Sequence, residues 1–215
     1  NLLLDDLDRE LESRGLRFAR YADDCNIYVR SKRAGERVLQ SVTRWLDKKL
    51  RLKVNQSKSA VARPWKRKFL GFTFTTRRKR SIAPTSRTKF KKRIRELTKR
   101  NRGSSLARVV SELRSYLLGW RGYFGFCQTP SVLRDLDSWI HRRLRSYAWK
   151  QWKTGKRRFA ELRRLGIDKA WAAKTAGSSK SYWHLSRSPA LRISLSRAYL
   201  TGLGLPLLLE PGPKV

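Results

Sequence analysis

Acidic residues are scarce in this chain. Of 215 residues only 16 are Asp or Glu, against 52 Lys or Arg, for a formal net charge of +36. Self-repulsion on that scale destabilises a compact state unless a polyanion relieves it, so nucleic acid is the leading partner. An anionic membrane surface is the alternative, but no polybasic amphipathic helix stands beside a lipidation signal. No run of about 18 apolar residues occurs, so no segment is expected to span a bilayer. Histidine and cysteine are sparse, with two of each. Cys25 and Cys127 lie far apart without metal-ligand spacing, which excludes a zinc finger. Reduced thiols in a cytoplasmic compartment are expected. No serine or cysteine nucleophile arrangement and no glycine-rich phosphate loop is found. There is no signal-peptide pattern. The chain starts within a helical pattern at Asn1-Leu2-Leu3-Leu4, so an upstream portion is expected.

What is present is unevenly distributed. Nine of the acids fall within residues 1–47, while residues 77–102 carry thirteen basic side chains and one acid, Glu96. A helix is predicted over 2–14, with Leu3, Leu4, Leu7 and Leu11 on one face and Gly15 ending it. Strands are predicted at 16–21 and 25–29, and a helix at 34–50 with Val38, Leu39, Val42, Trp45 and Leu46 at helical spacing. Short extended pieces follow at 52–55 and 59–62, then a strand at 69–76. From Ala83-Pro84 the pattern becomes helical. Thr85 or Ser86 is expected to cap a helix ended by Gly103. Ser104 or Ser105 is expected to cap the next, with Leu106, Val109, Val110, Leu113, Leu117, Trp120 and Phe124 facing inward. Thr129-Pro130 opens a third. These three suggest a small antiparallel bundle. Shorter helices punctuated by Gly166, Gly177, Pro189 and Gly204 fill 155–210, and 211–215 reads as a loose tail. The boundary between the two patterns falls near 77–84.

Tyr21-Ala22-Asp23-Asp24 lies between the two predicted strands. An acidic turn is commonly just solvated. Apolar strands on both sides instead aim two carboxylates at one place, and Mg2+ favours such oxygen donors together with phosphate. In two-metal nucleotidyl transfer the ions sit roughly 3.5–4 Å apart and serve the primer hydroxyl and the triphosphate.

Tyr21-Ala22-Asp23-Asp24 in this setting resembles the palm motif of reverse transcriptases. Leu52-Lys53-Val54-Asn55-Gln56-Ser57-Lys58-Ser59 looks like the family's next motif, and Lys68-Phe69-Leu70-Gly71-Phe72 like its primer grip. Leu117-Leu118-Gly119-Trp120-Arg121-Gly122-Tyr123-Phe124 is similar to the thumb signature of group II intron-encoded reverse transcriptase/maturases. Leu162-Arg163-Arg164-Leu165-Gly166, Trp183-His184-Leu185-Ser186-Arg187-Ser188-Pro189 and Leu203-Gly204-Leu205-Pro206 fit the same family. The resemblance implies an α+β fold. The end of a palm, an antiparallel hairpin with helices, occupies 1–80. An all-α thumb, or maturase (X), domain occupies 81–210.

It implies binding of group II intron RNA, assistance to splicing, and metal-dependent copying of RNA into DNA, with a DNA target or primer. Asp23 and Asp24 would be catalytic and bind Mg2+. Tyr21 and Ala22 would shape the floor beneath primer and nucleotide, and Lys58 would meet the triphosphate. Phe69, Leu70, Gly71 and Phe72 would position the primer end. The family's third metal-binding aspartate and its fingers have no counterpart here, so an upstream fingers–palm part of the same protein is an expected partner. No His/Cys-rich endonuclease follows, as in the subgroup without one. A cytoplasmic ribonucleoprotein of a bacterial retrotransposing intron is expected.

A charged helix could be merely solvated, but like charges one turn apart destabilise an isolated helix, and phosphates reverse that. Arg87, Lys91, Lys92, Arg95, Lys99 and Arg102 are the expected RNA contacts, with Arg142, Arg143, Lys150, Arg157 and Arg158 in a second stretch. Trp45, Trp120 and Trp139 read as core, whereas Trp149 and Trp152 either pack or stack on nucleotides. The rival readings are a non-catalytic RNA-binding splicing factor and a reverse transcriptase of another bacterial lineage.

Overall fold

The computed structural model describes residues 2–209. Asn1 and residues 210–215, including the tail expected at 211–215, lie outside them. The chain divides into two units, Asn1–Arg78 and Lys79–Val215.

In the first unit, α1 (Leu2–Ser13) buries Leu7 and Leu11. Leu3, expected on the same face, is 53% exposed. Gly15 reverses the chain at φ +65°, a conformation that costs a residue without Cβ little. β1 (Arg17–Tyr21) and β2 (Asp24–Tyr28) form an antiparallel hairpin, with Phe18 opposite Ile27 and Arg20 opposite Cys25. Phe18, Cys25 and Ile27 share one face because side chains alternate along a strand. That face packs on Leu7, Leu11, Val42 and Leu46. α2 (Lys32–Trp45) begins where Ser31 Oγ accepts the Ala34 N–H at 3.1 Å, and one π turn (Leu46–Leu50) follows it. Gly35 is required by close approach, since a Cβ there would lie 2.6 Å from Val61 Cγ1. The pieces at 52–55 and 59–62 form no strand, although Leu52 and Val54 pack on the core. The strand expected over 69–76 contracts to β3 (Phe72–Phe74). Leu70 and Gly71 both take positive φ, so 69–72 is a tight turn in which Phe69 and Phe72 exchange two backbone hydrogen bonds of 2.9 Å.

In the second unit a short strand, β4 (Arg80–Ile82), leads into α3 (Pro84–Leu97). Neither Thr85 nor Ser86 caps α3. Proline occupies its first turn, where its missing N–H is no loss, and Ala83 takes the cap position. The helix stops before Gly103: buried Thr98 turns its hydroxyl onto the Ile94 carbonyl at 2.5 Å. Ser105 caps α4 (Leu106–Phe124) by accepting the Arg108 N–H, and Val109, Val110, Leu113 and Leu117 face the core. α5 (Pro130–Gln151) opens at Thr129, whose hydroxyl bonds Ser81 Oγ at 2.9 Å instead of capping the helix. Phe90, Ile94, Leu133, Ile140, Leu144 and Tyr147 are fully buried with them.

α6 (Gly155–Arg164), α7 (Lys169–Ala176), α8 (Tyr182–Leu185), α9 (Pro189–Ser194) and α10 (Arg197–Gly202) follow. Most of them gather round the end of α5, where Trp149, Trp152, Leu162, Ile167, Leu185 and Leu191 form a cluster. Trp149 and Trp152 are therefore core residues and not nucleotide platforms. The last described segment is strapped to the bundle. Asp137 accepts the Leu208 and Leu209 N–H groups at 3.0 and 3.3 Å, and Arg121 and Arg114 donate to the carbonyls of Leu207 and Gly204. Burial holds the Asp137 carboxyl above its usual range despite those two N–H donors.

Candidate metal hairpin and nucleic-acid interface

The β1–β2 loop is two residues long, Ala22 and Asp23, because Tyr21 pairs with Asp24. Ala22 has φ +51°. A left-handed residue with a Cβ costs on the order of 1 kcal/mol, so a local contact has to hold it. Arg20 supplies one, donating to the Ala22 carbonyl at 3.0 Å. The same guanidinium grips both oxygens of Asp8 on α1. That bond holds the Asp8 carboxyl below its ordinary range. Alternation puts Tyr21 and Asp24 on the strand face away from Phe18, Cys25 and Ile27. Asp23 and Asp24 are both exposed, and Tyr21 is 64% exposed. Among the described residues no group of three or more His, Cys, Asp or Glu is placed to hold a metal ion. Two adjacent exposed carboxylates nonetheless fit Mg2+, which is commonly held by one or two carboxylates with substrate phosphates and water completing its shell.

Lys58 lies on an exposed turn in which its N–H meets both the Asn55 carbonyl and Asn55 Oδ1, each at 3.2 Å. Its carbonyl accepts Arg67 Nη2 at 2.5 Å, and the Arg67 carbonyl accepts the Thr73 hydroxyl at 2.8 Å. Arg67 thus joins the Lys58 turn to the stretch carrying Phe69, Leu70, Gly71 and Phe72. The aspartate hairpin is braced separately, through Asp8. Sequence reading passed over Arg20 and Arg67, since a lone arginine in so basic a chain carries no signal.

The expected RNA contacts separate into two groups. Lys92, Arg95 and Lys99 are exposed on α3 and just beyond it. Lys150 reaches the Tyr182 hydroxyl at 3.4 Å. Arg87 and Lys91 are half-buried, and Lys91 sits 5.6 Å over the Trp139 ring. The others pair within the chain, although Arg157 stays exposed. Arg102 bonds the Leu97 carbonyl and Glu112, Arg143 bonds Thr98 Oγ1 at 2.6 Å, and Arg157 faces Glu161. Arg142 lies 3.7 Å over Trp183, and Arg158 lies 4.9 Å over Trp149 and 5.5 Å over Tyr182.

Two family descriptions match the chain. Reverse transcriptase (RNA-dependent DNA polymerase) covers residues 1–74, and group II intron, maturase-specific domain, covers residues 87–166. They stand in the order of the two units. The chain belongs to the group II intron reverse transcriptase/maturase family. It carries the C-terminal portion of that architecture, a palm end followed by a helical maturase domain. No curated protein matches it.

In the second unit of this family member, the end of α3 borders a recess of about 640 Å³ lined by Lys92, Arg95, Lys99, Arg100, Lys150 and Tyr182, among others. A second hollow of about 220 Å³ shares Arg95, Arg100 and Arg143 with it and adds Trp139 and Trp183. Arg100, Trp139, Tyr182 and Trp183 escaped the sequence reading as contacts. They come from three segments that only folding unites.

Proposed function

We propose that this chain serves an RNA-directed DNA polymerase and splicing maturase that binds its group II intron RNA and copies it into DNA. The observation that carries this reading is the hairpin: a strained Ala22, pinned by Arg20, turns Asp23 and Asp24 outward together. Asp23 and Asp24 hold Mg2+, which when bound supplies charge neutralisation at the reacting phosphates. Tyr21 presents an exposed ring beside them as the floor for primer and nucleotide. Lys58 offers an ammonium to the triphosphate, and the 69–72 turn sets the primer end. The exposed cations of α3 take RNA phosphates.

The family's third aspartate has no counterpart among these residues, so polymerisation depends on a fingers–palm part supplied from elsewhere in the protein. The setting in this reading is a cytoplasmic ribonucleoprotein; among the described residues no helix is long and apolar enough to cross a membrane. Primer extension on an RNA template by the full-length protein tests the catalytic part. Asp23→Ala and Asp24→Ala should each abolish extension while leaving RNA binding intact, and full activity in both sinks the assignment. The second reading, a splicing factor without polymerase activity, takes its support from the described residues, among which no third metal-binding side chain joins Asp23 and Asp24. It predicts intron-specific RNA binding with no extension under any condition.

A further inference from the structure

We infer that the recess between the end of α3, the last turns of α5 and α8 seats a short unpaired run of RNA, bases against aromatic rings at either end and phosphate on the guanidiniums between. This rests on the maturase reading and narrows it from RNA in general to unpaired nucleotides.

Three observations carry it. The chemistry is ordered along the recess. Tyr182 lies at one end and Trp139 and Trp183 at the other, and the two hollows meet at Arg95, Arg100 and Arg143. Aromatic faces with interleaved cations are how single strands are held without duplex pairing. Next, the cations are fixed before any ligand arrives. Arg143 is clamped by the hydroxyl and carbonyl of Thr98 at 2.6 and 3.2 Å, and Arg100 reaches Ser146 Oγ at 3.5 Å. Burial and the nearby Arg95 and Arg100 depress the Arg143 pKa. The one acid on the wall, Glu96, is engaged by Arg93 at 3.2 Å. Charge crowded in this way favours an anion over solvent.

Last, the rings are backed. Arg158 lies 4.9 Å over the fully buried Trp149 and 5.5 Å over Tyr182, which also carries Arg100 and Lys150 at 5.6 and 4.9 Å, and Arg142 covers Trp183 at 3.7 Å, so these two rings are held in place by cations whose charge a stacked base would share. At about 640 Å³ the larger hollow is the size of a small-molecule site, roughly 300–1,000 Å³, and admits a base. A duplex keeps its base faces stacked inside and presents backbone and groove edges. It would use the cations and leave the rings unused.

The test compares binding of a short unstructured oligoribonucleotide and a hairpin duplex of equal charge to the whole chain, by fluorescence anisotropy. Tyr182→Ala should weaken the single strand roughly tenfold, the order expected for one lost base–ring stack. It should move the duplex less than about twofold, since backbone contacts are sequence- and ring-independent. Tyr182→Phe should bind like the native chain. Arg100→Ala should weaken the strand and lower the slope of log K against log salt by about one. Equal loss on strand and duplex in Tyr182→Ala, or no loss on either, overturns the base seat and leaves RNA binding standing. Displacement of the strand by micromolar AMP would also overturn it, by assigning the recess to a free nucleotide. Failure to bind RNA of any kind removes the maturase reading and this inference together.

Discussion

The two units differ in how they distribute apolar burial and strain. Among its described residues the unit at 1–78 buries few hydrophobic side chains, Leu7, Leu11, Val42 and Leu46, and leaves Tyr21, Tyr28, Leu70 and Phe74 well exposed. It also holds four of the five non-glycine residues with positive φ among the described residues: Ala22, Arg51, Leu70 and Arg78. The unit at 79–215 carries most of the positive charge, yet it buries Phe90, Ile94, Leu113, Leu144, Tyr147 and Trp149 to 1% exposure or less. Its arginines do not oppose that core. Several lie flat on aromatic rings or bond carbonyls, as Arg142 does with Trp183 and Arg145 with the Ser186 carbonyl. A strained turn displays carboxylates, whereas a broad packed base displays cations. The first needs little core, and the second needs much.

The comparison breaks most visibly at Trp149. Trp149→Ala should cost the helical unit about 3–5 kcal/mol. Amide exchange should accelerate across α4 to α9, while α1 and α2 change little. Leu11→Ala should cost about 2–5 kcal/mol and do the reverse. Because so few side chains share the core of the first unit, that loss should leave its hairpin unprotected.

His141 gives the next effect. It is buried on α5, and burial with Arg197 and Arg145 nearby holds its imidazole down from 6.5 to about 4. The folded unit therefore binds this proton more weakly than the unfolded chain. Stability should fall as pH drops from 6.5 towards 4, by up to about 3 kcal/mol. Denaturant titrations across that range should show the loss, and His141→Leu should flatten it.

The smallest effect is expected at Asp8. Asp8→Asn should cost the first unit less than about 1 kcal/mol, since the pair with Arg20 is only partly buried. Its depressed pKa means that the contribution is present above 3.8 and lost as pH falls through the folded-state value. Faster exchange confined to β1 and β2 would locate the loss. An unchanged hairpin would remove Arg20 as the brace of Ala22.

Periodicity showed most of the helices. Leu7 and Leu11, Val109 to Leu117, and Leu133 to Tyr147 recur at helical spacing and are buried. Turn chemistry was harder to read. The alternating Phe and Thr of 72–75 suggested a strand over the whole of 69–76, but left-handed Leu70 turned the chain at 69–72, a conformation that residue identity does not announce, and left only Phe72–Phe74 as strand. Caps failed similarly. Ser105 was readable, whereas Pro84 displaced Thr85 and Ser86, and Thr129 gave its hydroxyl to Ser81. Trp149 and Trp152 stood among basic residues in sequence, and only the packing of α6 to α9 showed them to be core.

The sequence by itself determined the family, through ordered motifs whose chemistry depends on residue type and spacing, and it determined the net charge of +36, because net charge is a sum that folding does not change. The tertiary structure decided which cations remain available. Arg102 and Arg142 are consumed by Glu112 and Trp183, while Arg143 is fixed on Thr98 at the wall of the recess. Arg95, Arg100 and Lys150 meet around Tyr182 from segments far apart in the chain. A side chain's partners are set by distances across the fold, which local sequence does not encode.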